Sequence, residues 1–160
     1  MSGPEEAGPV QGRVLELIER HRAQPGPLLL VLHAIQDEWG YIPAAAPALI
    51  AVGLNLSRAE VHGVVTFYHH FRRSPPGRHV LQLCRAEACQ AMQAEALAAH
   101  ASRRLGIGFR ETSADGRYSL EPVYCLGNCA CAPALLLDGA LHGRVTPARL
   151  DELLAAQPDP

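Results

Sequence analysis

His79-Val80-Leu81-Gln82-Leu83-Cys84 and Tyr118-Ser119-Leu120-Glu121-Pro122-Val123-Tyr124-Cys125 repeat one theme: a short strand that runs into a cysteine. Each strand opens a tight cysteine group. The first is Cys84-Arg85-Ala86-Glu87-Ala88-Cys89, and the second is Cys125-Leu126-Gly127-Asn128-Cys129-Ala130-Cys131, with 35 residues between the groups. Loops beyond strand ends are where α/β layers usually build their sites, so groups distant in sequence are expected to converge in space.

Four thiolates anchor a [2Fe–2S] unit, and two pairs on short loops can supply two ligands to each iron. That makes Cys84, Cys89, Cys125 and Cys129 the candidate metal-binding and cofactor-binding residues. Tetrahedral zinc is the first alternative, although zinc ribbons usually use the tighter C-x2-C turn. Disulfides are the second. Met1–Pro9 carries Glu5 and Glu6 and lacks the apolar core of a secretory leader, and a cytoplasmic chain rarely keeps structural disulfides. Packed thiols are the third; they explain one cysteine well and two spaced groups badly. Gly127 and Asn128 tolerate the unusual dihedrals that a loop around an inorganic core needs. Cys131 is placed outside the ligand set, because four sites suffice.

Outward from the cysteines, the remaining pattern completes one domain. An Ala-rich stretch from Ala88 to Leu105 reads as one helix anchored by Met92, Leu97 and Leu105. Asp115-Gly116 is a turn. Ala134 to Leu137, Asp138-Gly139 and Ala140 to Val145 read as a hairpin, and Pro147 to Ala155 as a closing helix. The order is β-α-β-β-β-α. Upstream, Ser74-Pro75-Pro76-Gly77 reads as a linker. Before it, four helices are expected. Val14, Leu17 and Ile18 carry one stripe, and Leu28, Leu29, Leu32 and Ile35 carry a second after Pro27. A third helix starts near Pro43. A fourth follows the capping box Ser57-Arg58-Ala59-Glu60, with Val61, Val64, Val65 and Tyr68 on its apolar side. Residues 1–9, rich in Gly, Pro and Glu, are expected to be disordered. The division is therefore residues 1–9, a small helical bundle over 10–74 that docks on a partner, and an α/β domain over 75–160.

Composition narrows the function. With 14 Lys and Arg against 16 Asp and Glu, the chain has no basic footprint for nucleic acid. No apolar run approaches the roughly 20 residues of a membrane helix. Paired carboxylates, a Ser-His-Asp set and a Gly-rich phosphate loop are all missing from the pattern, so the chain itself is expected to be non-catalytic. Trp39, Tyr41, Phe67 and Tyr68 are expected to pack in the core or at an interface, and His69 and His70 to be solvated or hydrogen-bonded.

These motifs resemble a known family. C-x4-C followed by C-L-G-x-C is similar to the thioredoxin-like [2Fe–2S] ferredoxin subunit (the 24-kDa or E-type subunit) beside the NADH-binding flavoprotein of respiratory complex I. Leu32 to Pro43, ending in Gly40-Tyr41-Ile42-Pro43, and Glu60 to Tyr68 resemble that family's G-Y-I-P and E-V-x-G-V-x-T-F-Y segments. Within the family, Cys129-Ala130-Cys131 and His142-Gly143-Arg144-Val145 resemble the gamma subunit of NAD-dependent, molybdenum-containing formate dehydrogenases. The resemblance implies a helical bundle followed by a thioredoxin-like [2Fe–2S] ferredoxin domain, with Cys84, Cys89, Cys125 and Cys129 as ligands. It implies an electron-transfer subunit of a cytoplasmic NAD-dependent formate dehydrogenase, partnered by an FMN- and NAD-binding flavoprotein subunit and a molybdenum-containing catalytic subunit. Alternatives are the E-type subunit of NADH–quinone oxidoreductase, that of an NAD-reducing hydrogenase, and, from a different class, a zinc-stabilised interaction module.

Overall fold

A computed structural model describes residues 7–158 of the chain. The described residues divide into two compact units, with the boundary between residues 75 and 76.

The first unit is helical. Its elements are α1 (Ala7–His21), α2 (Pro27–Trp39), α3 (Ala46–Gly53) and α4 (Arg58–Phe67). Val14, Leu17 and Ile18 of α1 are buried as their spacing demands, against Val31, Leu32 and Ile35 of α2, Ile50 of α3 and Val61 and Val65 of α4. Each fully buried aliphatic side chain of this size contributes about 1.5–3 kcal/mol. Helix α2 begins at Pro27, whose missing N–H costs nothing in the first turn, and ends where Gly40 turns left-handed. Helix α4 carries the full capping box: Ser57 Oγ accepts from the Glu60 N–H, and the Glu60 carboxylate accepts from the Ser57 N–H at 2.8 Å.

Several expectations are corrected here. Helix α1 takes in Ala7–Pro9, which composition assigns to disorder; proline is tolerated in a first turn. Residues 1–6 lie outside the described residues. Helix α3 starts three residues after Pro43, with its first-turn proline supplied by Pro47. The buried side of α2 is centred on Val31, Leu32, Ile35 and Gln36, with Leu28 and Leu29 only partly buried. Phe67 is 72% exposed and Tyr68, the α4 C-cap, 43% exposed. They line a shallow apolar depression of about 570 Å³ with Leu28, Leu56, Glu60, Gly63 and Val64. The helix ends at these rings, so the stripe that buries Val61 and Val65 does not continue onto them.

The buried Gln36 holds the return of the chain after α4. Its side-chain amide donates to the His70 carbonyl, and its carbonyl oxygen accepts from the Arg72 N–H at 2.8 Å. The Arg72 carbonyl in turn accepts from the Ile42 N–H at 2.8 Å. The Gln36 side chain thus ties α2 to the chain after α4, and the Ile42–Arg72 backbone bond ties in the segment after α2.

The second unit is a five-stranded sheet in the order β2-β3-β1-β4-β5, formed by β1 (His79–Cys84), β2 (Glu111–Thr112), β3 (Tyr118–Val123), β4 (Leu135–Leu137) and β5 (Ala140–His142). Strands β1 and β3 run parallel; the other pairs are antiparallel. Leu81, Leu83, Tyr118, Leu120, Leu135 and Leu137 pack with Leu97, Ala98 and Ala101 of α6 (Ala94–Leu105) and Leu150, Leu153 and Leu154 of α7 (Pro147–Ala155). The Tyr118 hydroxyl donates to the Leu154 carbonyl at 2.9 Å. Asp138 and Gly139 both have positive φ, the backbone of a two-residue hairpin turn between β4 and β5.

Three sequence expectations change in this unit. The Ala-rich helix is two: α5 (Glu87–Ala91) and α6, broken where Gln93 turns left-handed. Two axes let the first turn bury Cys89 while the second buries Leu97 against the sheet; Met92, at the break, is 55% exposed and anchors nothing. Strand β2 is an addition to the expected order, being two residues long and without an apolar pattern. Strand β5 stops at His142 instead of Val145, because Arg144 and Val145 give their N–H groups to Cys131 and Pro133. Among the described residues, no helix is long and apolar enough to cross a membrane.

The Gln36 clamp gives a testable outcome. Gln36→Ala removes one partner each from the His70 carbonyl and the Arg72 N–H, so it is expected to destabilise the chain by about 1–3 kcal/mol. Urea unfolding followed by circular dichroism measures this; an unchanged midpoint would mean that solvent replaces both bonds.

Candidate functional site

Parallel register brings the cysteine groups together. Cys84, the last residue of β1, lies opposite Val123, the last of β3. The Arg85 N–H donates to the Val123 carbonyl at 2.8 Å, and the Cys84 N–H donates to the Ala134 carbonyl at 3.1 Å. Cys84 is thereby held between the two segments that border the second cysteine group. Cys89 follows on α5, and Cys129–Cys131 forms a single 3-10 turn.

The four candidate residues meet as two pairs. Cys84 and Cys89 are buried, at 3% and 2% exposure, while Cys125 and Cys129 are exposed. The Cys125 and Cys129 sulfurs lie 3.7 Å apart. A tetrahedral centre with metal–sulfur bonds of about 2.3 Å spaces its sulfurs about 3.8 Å apart, so this pair stands at the separation that one metal needs. The Cys125 sulfur also accepts from the Gly127 N–H at 3.4 Å. That bond depends on left-handed backbone at Cys125 (φ 85°) and Gly127 (φ 74°). The sequence assigns the unusual dihedrals to Gly127 and Asn128; Asn128 has φ −101°, and Cys125 itself takes the strain.

The electrostatics link the pairs. Burial pushes the Cys84 thiol up, but the N–H groups of Ala86, Cys125 and Leu126 and the Cys89 thiol all serve its sulfur, and the net result is a thiol below its ordinary range. Cys89 moves the other way: burial, then the neighbouring Cys84 sulfur, hold its proton on. Cys129 is also raised, first by the Cys125 sulfur, with Cys84 adding a smaller repulsion. Repulsion of Cys129 with Cys84 and Cys89 puts the two groups near one another. Hydrogen bonds to sulfur are what tune an iron–sulfur centre, and here they come from the backbone.

The surroundings fit a compact inorganic group. Ala94, Ala132 and Ala134 pack with Cys84 and Cys89, joined by Ala86, Val123 and Leu126. Small side chains leave room that larger ones would fill. Among the described residues, no three Cys, His, Asp or Glu side chains gather closely enough to hold a single ion. Arg85, beside Cys84, is engaged elsewhere, bonded to Glu95 at 2.6 Å and lying over the Phe109 ring. Cys131 is tied through its backbone: its N–H bonds the Asn128 carbonyl, and its carbonyl accepts from the Arg144 N–H. The residues the sequence did not reveal are Ala86 and Leu126, which act through backbone N–H groups and so leave no side-chain signal.

Against known proteins, residues 14–157 match the family described as thioredoxin-like [2Fe-2S] ferredoxin. The chain belongs to this family. Its cofactor is a [2Fe–2S] cluster, and the match spans both units. The E-type NADH-quinone oxidoreductase subunit of Pseudomonas aeruginosa is 40% identical over 125 residues, covering 78% of this chain and 75% of that one. The NADP-reducing hydrogenase subunit HndA of Solidesulfovibrio fructosivorans is 31% identical over 147 residues, covering 92% and 86%. A crystal structure of an NAD+-reducing [NiFe]-hydrogenase superposes with a TM-score of 0.66 at 28% identity over 86% of this chain. The chain spans 23% of that hydrogenase chain.

In the reduced, cluster-free ferredoxin, Cys84 is expected to lose its proton at lower pH than Cys89 and Cys129. A pH titration of 13C-labelled cysteine Cβ shifts by NMR measures the order; the reverse order would remove the role assigned to the Ala86, Cys125 and Leu126 N–H groups. Because Cys89 and Cys129 hold protons above the ordinary thiol range, loading the site releases protons and becomes more favourable as pH rises.

Proposed function

We propose that this ferredoxin is an E-type electron-transfer subunit that binds its cluster through Cys84, Cys89, Cys125 and Cys129, beside a flavin- and NAD-binding partner in an NAD-linked oxidoreductase. The observation that carries the ligand set is the convergence of two cysteine pairs at the carboxyl ends of the parallel strands β1 and β3, with linked thiolate electrostatics. A [2Fe–2S] cluster held there supplies one-electron exchange, and a flavin is the natural converter between it and two-electron hydride chemistry. The chain's own part is positional. The buried pair, Cys84 and Cys89, screens one side from water, and the exposed pair, Cys125 and Cys129, leaves the other open to a partner. The helical unit, with Phe67 and Tyr68 on its surface, serves docking, and the division at residues 75–76 separates docking from cluster binding.

The relatives' names support NADH–quinone oxidoreductase or an NAD-reducing hydrogenase as the parent complex in preference to the formate dehydrogenase expected from the sequence. The formate reading, and with it a molybdenum-containing subunit, rests on the resemblance of Cys84 to Met92, Glu121 to Ala134 and His142-Gly143-Arg144-Val145. A cytoplasmic placement goes with either reading.

Two experiments test the proposal. Cys84→Ser, Cys89→Ser, Cys125→Ser and Cys129→Ser should each lose or strongly alter the cluster, since hydroxyl oxygen is a poor substitute for the soft thiolate. Iron and acid-labile sulfide per chain are the readout. Zinc in place of both would restore the interaction-module reading. Separately, EPR should show no cluster reduction when NADH is added to this chain alone and rapid reduction when a flavoprotein partner is also present. Rapid reduction by NADH without a partner would contradict a relay role.

A further inference from the structure

Gly143 sits where no side chain fits. A Cβ built there would lie 2.7 Å from the Asn128 side-chain nitrogen, 2.7 Å from the Cys131 Cβ and 2.9 Å from the Cys131 carbonyl oxygen. Two of these atoms belong to Cys131 at its Cα-bonded carbon or its backbone, so the clash cannot be relieved by a flexible side-chain end. Gly143 begins the segment that leaves β5 early. The next two residues bind back: Arg144 N–H to the Cys131 carbonyl at 2.6 Å, and Val145 N–H to the Pro133 carbonyl at 3.0 Å. Arg144 has φ 52°, so the chain turns sharply to make both bonds. The segment thus presses on Cys131, the last residue of the 3-10 turn Cys129–Cys131. That turn is tied at both ends, by Cys131 N–H to the Asn128 carbonyl at 3.0 Å and by Ala132 N–H to the Cys129 carbonyl at 3.3 Å. Displacing Cys131 therefore displaces Cys129, whose sulfur stands 3.7 Å from that of Cys125.

We propose that Gly143 is a positioning residue for the iron–sulfur site: its bare Cα lets the 143–145 segment clamp the Cys129 turn and so sets the spacing of the exposed cysteine pair. The inference rests on the reading that Cys125 and Cys129 are ligands and Cys131 is not. Outer partners that orient metal ligands typically change metal affinity by about 10–100-fold when mutated. The direct contact is with the Cys129 turn; Cys84 and Cys89 are carried by β1 and α5.

The test uses the full chain with its cluster, as wild type, Gly143→Ala, Cys131→Ser and Leu154→Ala. Leu154 is buried between the sheet and the end of α7 and reports general destabilisation. Three quantities are measured: iron per chain, the rate of bleaching by an iron chelator, and the EPR g-values of the reduced cluster. Gly143→Ala is expected to bleach about tenfold faster or more and to shift the g-values. Leu154→Ala should lower the melting temperature and keep the wild-type g-values. A folded Gly143→Ala with wild-type bleaching and g-values overturns the proposal, as does an equal shift in Leu154→Ala. Loss of iron in Cys131→Ser sinks the ligand reading itself, whatever Gly143→Ala does, so the two failures are distinguishable. If Gly143→Ala fails to fold, Asn128→Ala decides. It removes one wall of the contact without a clash and should move bleaching and g-values in the same direction; no change there overturns the proposal.

Discussion

Parallel pairing of β1 with β3, in a register that sets Cys84 opposite Val123, is the constraint on which the site depends. Side chains alternate along a strand, so a slip of one residue would send Leu81 and Leu83 to the wrong face and aim Cys84 away from the loop that carries Cys125. The register is held by the core itself. Leu81, Leu83, Leu120 and Leu135 are almost fully buried beneath α6 and α7, which leaves one favourable alignment. Once the strands are aligned, the N–H groups of Ala86, Cys125 and Leu126 lower the Cys84 thiol against its burial, without any side chain specialised for it.

The site is asymmetric, and the asymmetry follows from the elements that carry it. Cys84 ends a central strand and Cys89 rides a short helix packed on alanines, so both are buried. Cys125 and Cys129 belong to a loop and a single 3-10 turn, which must run at the surface and are exposed. Proton affinity divides within the buried pair: Cys84 is lowered against its burial by the N–H groups that serve it, and Cys89 is raised by burial and the Cys84 sulfur, while Cys129 is raised by the Cys125 sulfur. The loop pair has no strand to hold it, and its order comes from left-handed residues, the Gly127 N–H and the bonds that Arg144 and Val145 return to residues 131 and 133.

The helical unit solves a different problem. Its core is aliphatic, and one buried amide, Gln36, organises the chain that leaves it. A polar side chain in that position is useful because the 68–72 segment carries backbone groups that a purely apolar core would leave unserved. The aromatic residues Phe67 and Tyr68 stay at the surface, beside Leu28, Leu56 and Val64.

What the sequence determined by itself is local. The capping box at Ser57, the helix boundaries at Pro27 and Gly40, the Asp138-Gly139 turn, the closing helix at Pro147 and the strands that lead into the cysteine groups were legible because each is set by neighbouring residues. The spacing of the cysteines likewise announced a thiolate site, since thiolate chemistry needs those residues in pairs. Only the tertiary structure decided the break at Gln93, the early end of β5, the exposure of Met92, Phe67 and Tyr68, and the close approach of Gly143 to Cys131. These depend on which surface meets which across the fold. An alanine-rich run is equally good as one helix or two until Cys89 must face Cys84 while Leu97 faces the sheet. A glycine after a strand is unremarkable until another backbone arrives within 3 Å of the Cβ it lacks.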